Sequence, residues 1–290
     1  MAETSHDQAS GLRKMAAPPR PVKVIAVASG KGGVGKTNIT VNLGVALSSM
    51  GKQVLLLDAD LGLANIDVML GLHPQYNLQH VLDGSKTLQE IIVEGPAGLK
   101  IIPAASGVQK MAELSPAEHA GMIQAFSELN QHIDILMIDS AAGIADSVIS
   151  FTRAAQEVIV VVCDEPASIT DAYALIKLLS RQHNVDHFHI IANMAPNVQE
   201  GRELFDKIAM VCERFLEVNL DFMGIVPFDD DLRRAVKKQR AVVDYIPRSK
   251  SATAFNHLAK KVEHWPVKKQ PRGHMEFFVE RLIEASLEIA

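Results

Sequence analysis

The sequence predicts an α/β fold: a doubly wound, mainly parallel sheet flanked by helices. It forms a single domain with an N-terminal tail and a C-terminal amphipathic helix. Three observations predict this. Seven short runs are apolar almost throughout: Val22–Ala28, Gln53–Leu57, Leu99–Ile102, Ile133–Ile138, Val158–Cys163, Phe188–Ala192 and Phe222–Val226. Strands hydrophobic at successive residues belong in sheets covered on both faces. Helical stretches lie between them, at Ile39–Met50, Glu118–Asn130, Ile169–His183 and Glu200–Leu216. That alternation is the βαβ pattern of a parallel sheet. Finally, a glycine-rich segment, Gly30–Thr37, joins the first run to the first helix.

The chain divides in three. Residues 1–21 are polar and end with prolines at 18, 19 and 21, which predicts a flexible segment and extended linker. Residues 22–265 form the folded domain. Residues 266–290 form a linker and a final helix, about Met275–Ala290. With 290 residues and 48% hydrophobic content, the chain can bury one large core or two small ones. The net charge of −5 gives no general nucleic-acid footprint. Cys163 and Cys212 lack the number and spacing of a disulfide framework or a thiolate zinc site; they are read as buried free thiols in a reducing cytosol. The N-terminus has no apolar signal core. No apolar run reaches the roughly 18–20 residues that span a bilayer. A cytoplasmic protein is expected.

Gly30-Lys31-Gly32-Gly33-Val34-Gly35-Lys36-Thr37 fits G-x-x-x-x-G-K-[ST] between a strand and a helix, the phosphate-binding P-loop. Glycines let backbone N–H groups close around phosphate oxygens without a Cβ in the way. The helix N-terminus points its positive end at the same charge. Lys36 can bridge β- and γ-phosphates, and the Thr37 hydroxyl can hold Mg²⁺. Leu55–Asp60 (LLLDAD) places Asp58 and Asp60 at the C-terminal end of a strand, the ligand edge of such sheets. A carboxylate there can hold a metal-bound water or orient the attacking one, while Asp58 could equally cap the next helix. Ile135–Asp139 is an apolar strand ending in Asp, so Asp139 is expected near Mg²⁺. The expected cofactors are ATP/ADP and Mg²⁺.

Lys31, a second lysine inside the loop, resembles the signature lysine of the deviant Walker A group, the MinD/ParA/nitrogenase iron-protein ATPases. The resemblance implies that Lys31 reaches the phosphates of a partner subunit's ATP in a face-to-face, ATP-dependent homodimer. It also implies that Asp60 positions the hydrolytic water. Ser140-Ala141-Ala142-Gly143 resembles switch II, where the Gly143 amide would meet the γ-phosphate. Asn193 and Pro227-Phe228-Asp229, at strand ends, match positions that contact adenine in the family; ordinary loop turns are the alternative. Glu165 would meet the ribose across the dimer.

Three longer stretches, Leu57–Asp67 (LDADLGLANID), Asp139–Ile144 (DSAAGI) and Asp164–Lys177 (DEPASITDAYALIK), are similar to the FlhG/FleN flagellar-number regulators, close relatives of MinD. The similarity runs over about Val22–Ile246. Asp7-Gln8-Ala9-Ser10-Gly11-Leu12-Arg13 matches that family's D-Q-A-x-x-L-R motif. The match implies that Asp7, Gln8, Ala9, Leu12 and Arg13 dock on the GTPase FlhF and stimulate its hydrolysis. Gly11 weakens an isolated helix by about 1 kcal/mol relative to Ala, so order on binding is expected. Further implied partners are a FleQ/FlrA-type transcriptional activator and flagellar switch-ring proteins, with placement at the membrane's inner face and the cell pole.

In the final helix, Phe277, Phe278, Leu282 and Ile283 widen an apolar face, and Glu276, Glu280, Glu284 and Glu288 form a ridge at spacing four. The resemblance implies a membrane-targeting helix. The acidic ridge, which anionic lipid repels, favours packing on the domain itself as the resting arrangement. The basic stretch Arg233–Lys261 leaves a ParA-type DNA-partitioning ATPase as an alternative, beside a MinD-like division-positioning one. Direct sequence-specific nucleic-acid binding is not expected.

Overall fold

The structure, a computed structural model, describes residues 22–60, 65–103, 116–129, 132–266 and 275–289. The docking residues Asp7, Gln8, Ala9, Leu12 and Arg13 lie outside these, as does the side chain of Phe277.

In chain order, β1 (Lys23–Ser29) leads to α1 (Lys36–Ser49), β2 (Val54–Ala59) and three short helices, α2 (Ile66–Leu70), α3 (Leu78–Leu82) and α4 (Leu88–Ile91). Then come β3 (Val93–Glu94), β4 (Lys100–Ile102), α5 (Pro116–Ser127), β5 (Ile135–Ala142), α6 (Asp146–Ala154) and β6 (Glu157–Val162). Next are α7 (Pro166–His183), β7 (His187–Ala195), α8 (Val198–Phe215) and β8 (Asn219–Pro227). The chain closes with α9 (Asp230–Lys237), α10 (Val242–Tyr245), α11 (Lys250–His264) and α12 (Met275–Ile289). The sheet order is β3-β4-β2-β5-β1-β6-β7-β8. Every described pairing is parallel except β3 with β4.

The doubly wound reading holds, and the reason is visible on each central strand. Ile25 and Val27 of β1, Leu56 of β2 and Met137 of β5 join one core with α1 and α11. Their neighbours Val24, Ala26, Leu55, Leu57, Leu136 and Ile138 join another, with α5 and α12. A third core joins the far strands to α7 and α8. A side chain on either face meets a helix layer, so a polar residue at these positions would be costly without a hydrogen-bond partner.

The strands run further than the apolar runs suggest. β2 continues through Asp58, β5 through Asp139 and Ser140, and β7 through Asn193. The polar residues at their ends are therefore held by ladder hydrogen bonds rather than by loops. Sequence periodicity did not outline β3, α2–α4, α6 or α9–α11, which are short or begin without an apolar run. Two of them are fixed by local caps: Asn77 accepts from Gln79 N–H, and Thr87 pairs reciprocally with Glu90.

Candidate functional site

β1 ends at Ser29 and the chain turns through Gly30–Gly35 into α1. Gly33 and Gly35 have φ of +80° and +85°, where an L residue costs about 1–2 kcal/mol. A Cβ on Gly35 would also lie 2.4 Å from Asn193 Nδ2, and one on Gly30 2.1 Å from the Asp171 backbone of α7. The loop is thus a close backbone approach that only glycine permits at these points. The Ser29 hydroxyl donates to the Lys31 carbonyl at 3.0 Å. Asn193 Nδ2 donates to the Val34 carbonyl at 2.7 Å.

Behind the loop, Asp139 is the hub. It is fully buried and accepts from Lys36 Nζ at 2.9 Å, Thr37 Oγ1 at 2.8 Å and Thr40 Oγ1 at 2.8 Å. Three charge-assisted bonds compensate a carboxylate that burial alone would disfavour. Thr40 was not singled out from the sequence. Its signal is its place one turn after Thr37 on α1, facing the same strand end. Asp58 is the register partner of Asp139 on the neighbouring strand. It accepts from the backbone N–H of Asp60 and Ile66 at 3.1 and 3.4 Å. Burial, and then the adjacent Asp139 charge, push its pKa from an ordinary 3.8 up to about 7.

These groups are hard oxygen donors: one hydroxyl, Thr37, and two carboxylates, Asp58 and Asp139. No thiol or imidazole stands among them. That set suits Mg²⁺ beside a phosphate. The loop's backbone, together with Lys36, suits the phosphates themselves.

A family model described as "ParA: NUBPL iron-transfer P-loop NTPase" matches residues 21–263. The chain belongs to the ParA/MinD family of P-loop NTPases. Among curated relatives, the antiactivator FleN of Pseudomonas aeruginosa is 58% identical over 264 residues, covering 91% of this chain and 94% of the relative. The flagellum site-determining protein YlxH of Helicobacter pylori is 34% identical, covering 88% of each. The solved structure of MinD complexed with Mg-ADP from Pyrococcus horikoshii aligns with a TM-score of 0.66 and 27% identity, over 84% of this chain and 96% of that one. The resemblance read from the sequence is therefore borne out at the level of family.

The remaining ParA/MinD-type positions fall as follows. Lys31 lies on the outer side of the loop, paired with Glu165 at 2.7 Å; both side chains are substantially exposed, at 38% and 62%. Asp60 is partly exposed at the end of β2. The Gly143 N–H donates to the Ser29 carbonyl at 2.8 Å and its φ is +95°. Asn193, Pro227 and Phe228 gather at one edge, where Ala195 pairs with Pro227. Phe228 is 54% exposed with Arg233 over its ring. Asp229 instead caps α9 through Asp231 N–H and holds the Ser251 N–H and hydroxyl at 2.9 and 2.7 Å. It serves the join between α9 and α11. Both cysteines are buried and free, and burial pushes each thiol up to about 11, outside the range of a reactive thiolate.

Asp58 gives a pH prediction. The folded state retains a proton on Asp58 between about pH 4 and about pH 7 that the unfolded chain has lost. Stability therefore falls as pH rises through that window. Without nucleotide and Mg²⁺, Asp58→Asn should raise stability at pH 8 by on the order of 2 kcal/mol and change it little at pH 4. Urea melts at the two pH values check this. Equal effects at both would show that Asp58 is not proton-linked to folding.

Proposed function

We propose that this chain is a slow Mg²⁺-dependent ATPase used as a dimerisation switch that sets flagellar number and placement. The observation that carries the reading is the 58% identity to an antiactivator FleN over nearly the whole chain. The Lys36–Asp139–Thr37 cluster supplies chemistry to match. The loop amides and Lys36 would bind the β- and γ-phosphates of ATP. Thr37, Asp58 and Asp139 would hold Mg²⁺, which neutralises phosphate charge when bound. Asp60 would orient the attacking water, and the Gly143 amide would leave the Ser29 carbonyl to sense the γ-phosphate. Asn193, Pro227 and Phe228 line the edge where adenine would sit, with Asp229 positioning that edge.

Lys31 is proposed to cross to a second subunit's nucleotide. Its pairing with Glu165 does not oppose this: an exposed ion pair contributes about 0–1 kcal/mol, far less than a phosphate contact returns. Glu165, once released, is free to meet the partner's ribose. ATP then favours the dimer and hydrolysis returns the monomer. "Antiactivator" in the relative's name supports a transcriptional activator of the FleQ/FlrA type as one partner. The D-Q-A-x-x-L-R match at Asp7–Arg13 supports FlhF as another, and switch-ring proteins follow from the same family.

The DNA-partitioning alternative rests on the basic stretch, whose exposed ion pairs would yield to phosphate as readily as that of Lys31. Arg233, Arg234 and Arg240 pair with Asp230, Asp231 and Asp244. Lys261 donates to the Met223 carbonyl at 2.7 Å. No helix among the described residues is long and apolar enough to cross a membrane, so membrane contact would be peripheral.

Deleting residues 1–15 should abolish stimulation of FlhF GTP hydrolysis while leaving this chain's own ATP hydrolysis unchanged. Paired phosphate-release assays separate the two. Stimulation that survives the deletion would remove FlhF docking from the tail.

A further inference from the structure

At the edge of the sheet opposite the nucleotide loop, three adjacent strands bring two histidines and two carboxylates to one face. Glu157 opens β6, His187 and His189 begin β7, and Asp221 lies near the start of β8. His187 and His189 share a face because side chains two apart on a strand do. Asp221 is the register partner of His189. Further along this face the same strands carry apolar core residues: Ile159, Ile191 and Met223.

The two carboxylates sit on either side of the two rings. Glu157 Oε2 lies 3.1 Å from His189 Nε2 and 3.9 Å from His187 Nδ1. Asp221 Oδ2 lies 2.8 Å from His187 Nε2 and 3.6 Å from His189 Nδ1. All four ring nitrogens therefore face a carboxylate oxygen. His187 Nδ1 and His189 Nε2 converge on the Glu157 side, while His187 Nε2 and His189 Nδ1 face Asp221, and Glu157 and His189 are both buried. A cation on the Glu157 side would meet two imidazole nitrogens and one carboxylate oxygen. Lys23 on β1 donates to the Val262 and Trp265 carbonyls at 2.6 and 2.9 Å, and its charge also acts on Glu157.

We propose that Glu157, His187 and His189 form a site for a divalent transition metal of the Zn²⁺ class, with Asp221 holding the opposite ring nitrogen of each histidine. Imidazole with carboxylate is a zinc donor set, and it needs neither cysteine. One ligand atom each from Glu157, His187 and His189 already lie within 4.8 Å of one another. Tetrahedral Zn²⁺ with bonds of about 2.0–2.1 Å needs only a modest closure from there. Asp221, 61% exposed, lies against the ring nitrogens that face away from this site, His187 Nε2 and His189 Nδ1, the place of a carboxylate that orients ligating imidazoles. A water from the solvent side would complete the four ligands. Trp265, at the end of α11, stacks on His189 with centroids 3.9 Å apart. A bound metal would therefore fix the end of α11 where the chain departs toward α12.

Trp265 is the chain's single tryptophan, so it reports on this place alone. The test titrates Co²⁺ into chelator-treated full-length protein in excess Mg²⁺ and follows Trp265 fluorescence. Saturable quenching at one equivalent, reversed by Zn²⁺, is expected. His187→Ala, at a partly exposed position where folding is verified by circular dichroism, should weaken binding at least about 10–100-fold. Asp221→Asn should weaken it less. His264→Gln, beside Trp265 but outside the ligand set, should leave the midpoint unchanged. Absence of saturable quenching would overturn the site, as would an unchanged midpoint in His187→Ala or loss of quenching in His264→Gln.

Discussion

Lys36→Met is expected to reduce ATP hydrolysis at least about 100-fold, the scale of losing one charged donor to a transition state. It should also destabilise the fold, because Lys36 holds a second role. Its ammonium compensates Asp139, which is fully buried. Removing one partner of a buried pair costs about 3–5 kcal/mol, mostly from the charge left behind. Thr37 and Thr40 still donate to Asp139 at 2.8 Å each, so the lower part of that range is expected. The two effects separate in a cycle. Lys36→Met/Asp139→Asn should recover most of the lost stability while hydrolysis stays at the reduced level, because the orphaned charge is gone but the charge proposed to bind phosphate is not restored. Urea melts and phosphate release on the two single variants and the double measure both. Additive destabilisation would show that Lys36 and Asp139 are not energetically paired.

Phe278→Ala is expected to cost about 3–5 kcal/mol, a large part of the 5–15 kcal/mol that typically holds a domain together. Phe278, Val279, Leu282 and Ile283 are all buried. They share a core with Met122 and Phe126 of α5 and Phe151 of α6. Arg281 and Arg153 tie the same helices through backbone carbonyls. The glutamates Glu280 and Glu284 face outward. α12 is thus packed on the domain, as the acidic ridge led us to expect for the resting arrangement. For the membrane reading, Phe278, Leu282 and Ile283 would first have to leave this core, each losing about 1.5–3 kcal/mol of burial. Burial in the bilayer would have to return that, with a rearrangement driven elsewhere, such as dimerisation, opening the core. Chemical denaturation of Phe278→Ala checks the packing; a loss below about 1 kcal/mol would contradict it.

How much of this was legible in the sequence depends on what each feature rests on. The parallel sheet was legible because burial on both faces leaves strands such as Val158–Cys163 apolar throughout. The loop was legible because Gly33 and Gly35 adopt backbone conformations that other residues avoid. Asp58 and Asp139 could each be placed at a strand end, but not their adjacency. The pairing of β2 with β5 creates it, and with it the raised pKa of Asp58. Thr40 and the tie from Asn193 to Val34 depend on packing between elements distant in sequence. So does the cluster at Glu157, His187, His189 and Asp221. His187-Phe188-His189 alone reads as alternating strand residues; its carboxylates come from two other strands.

ATP is proposed to join two copies of this chain through Lys31. Size-exclusion chromatography with light scattering, with and without ATP and Mg²⁺, reads this out. The wild-type chain should shift toward a dimer only with ATP. Asp60→Ala should hold that dimer longer, and Lys31→Ala should remain monomeric. A dimer that forms without nucleotide and persists in Lys31→Ala would contradict the switch.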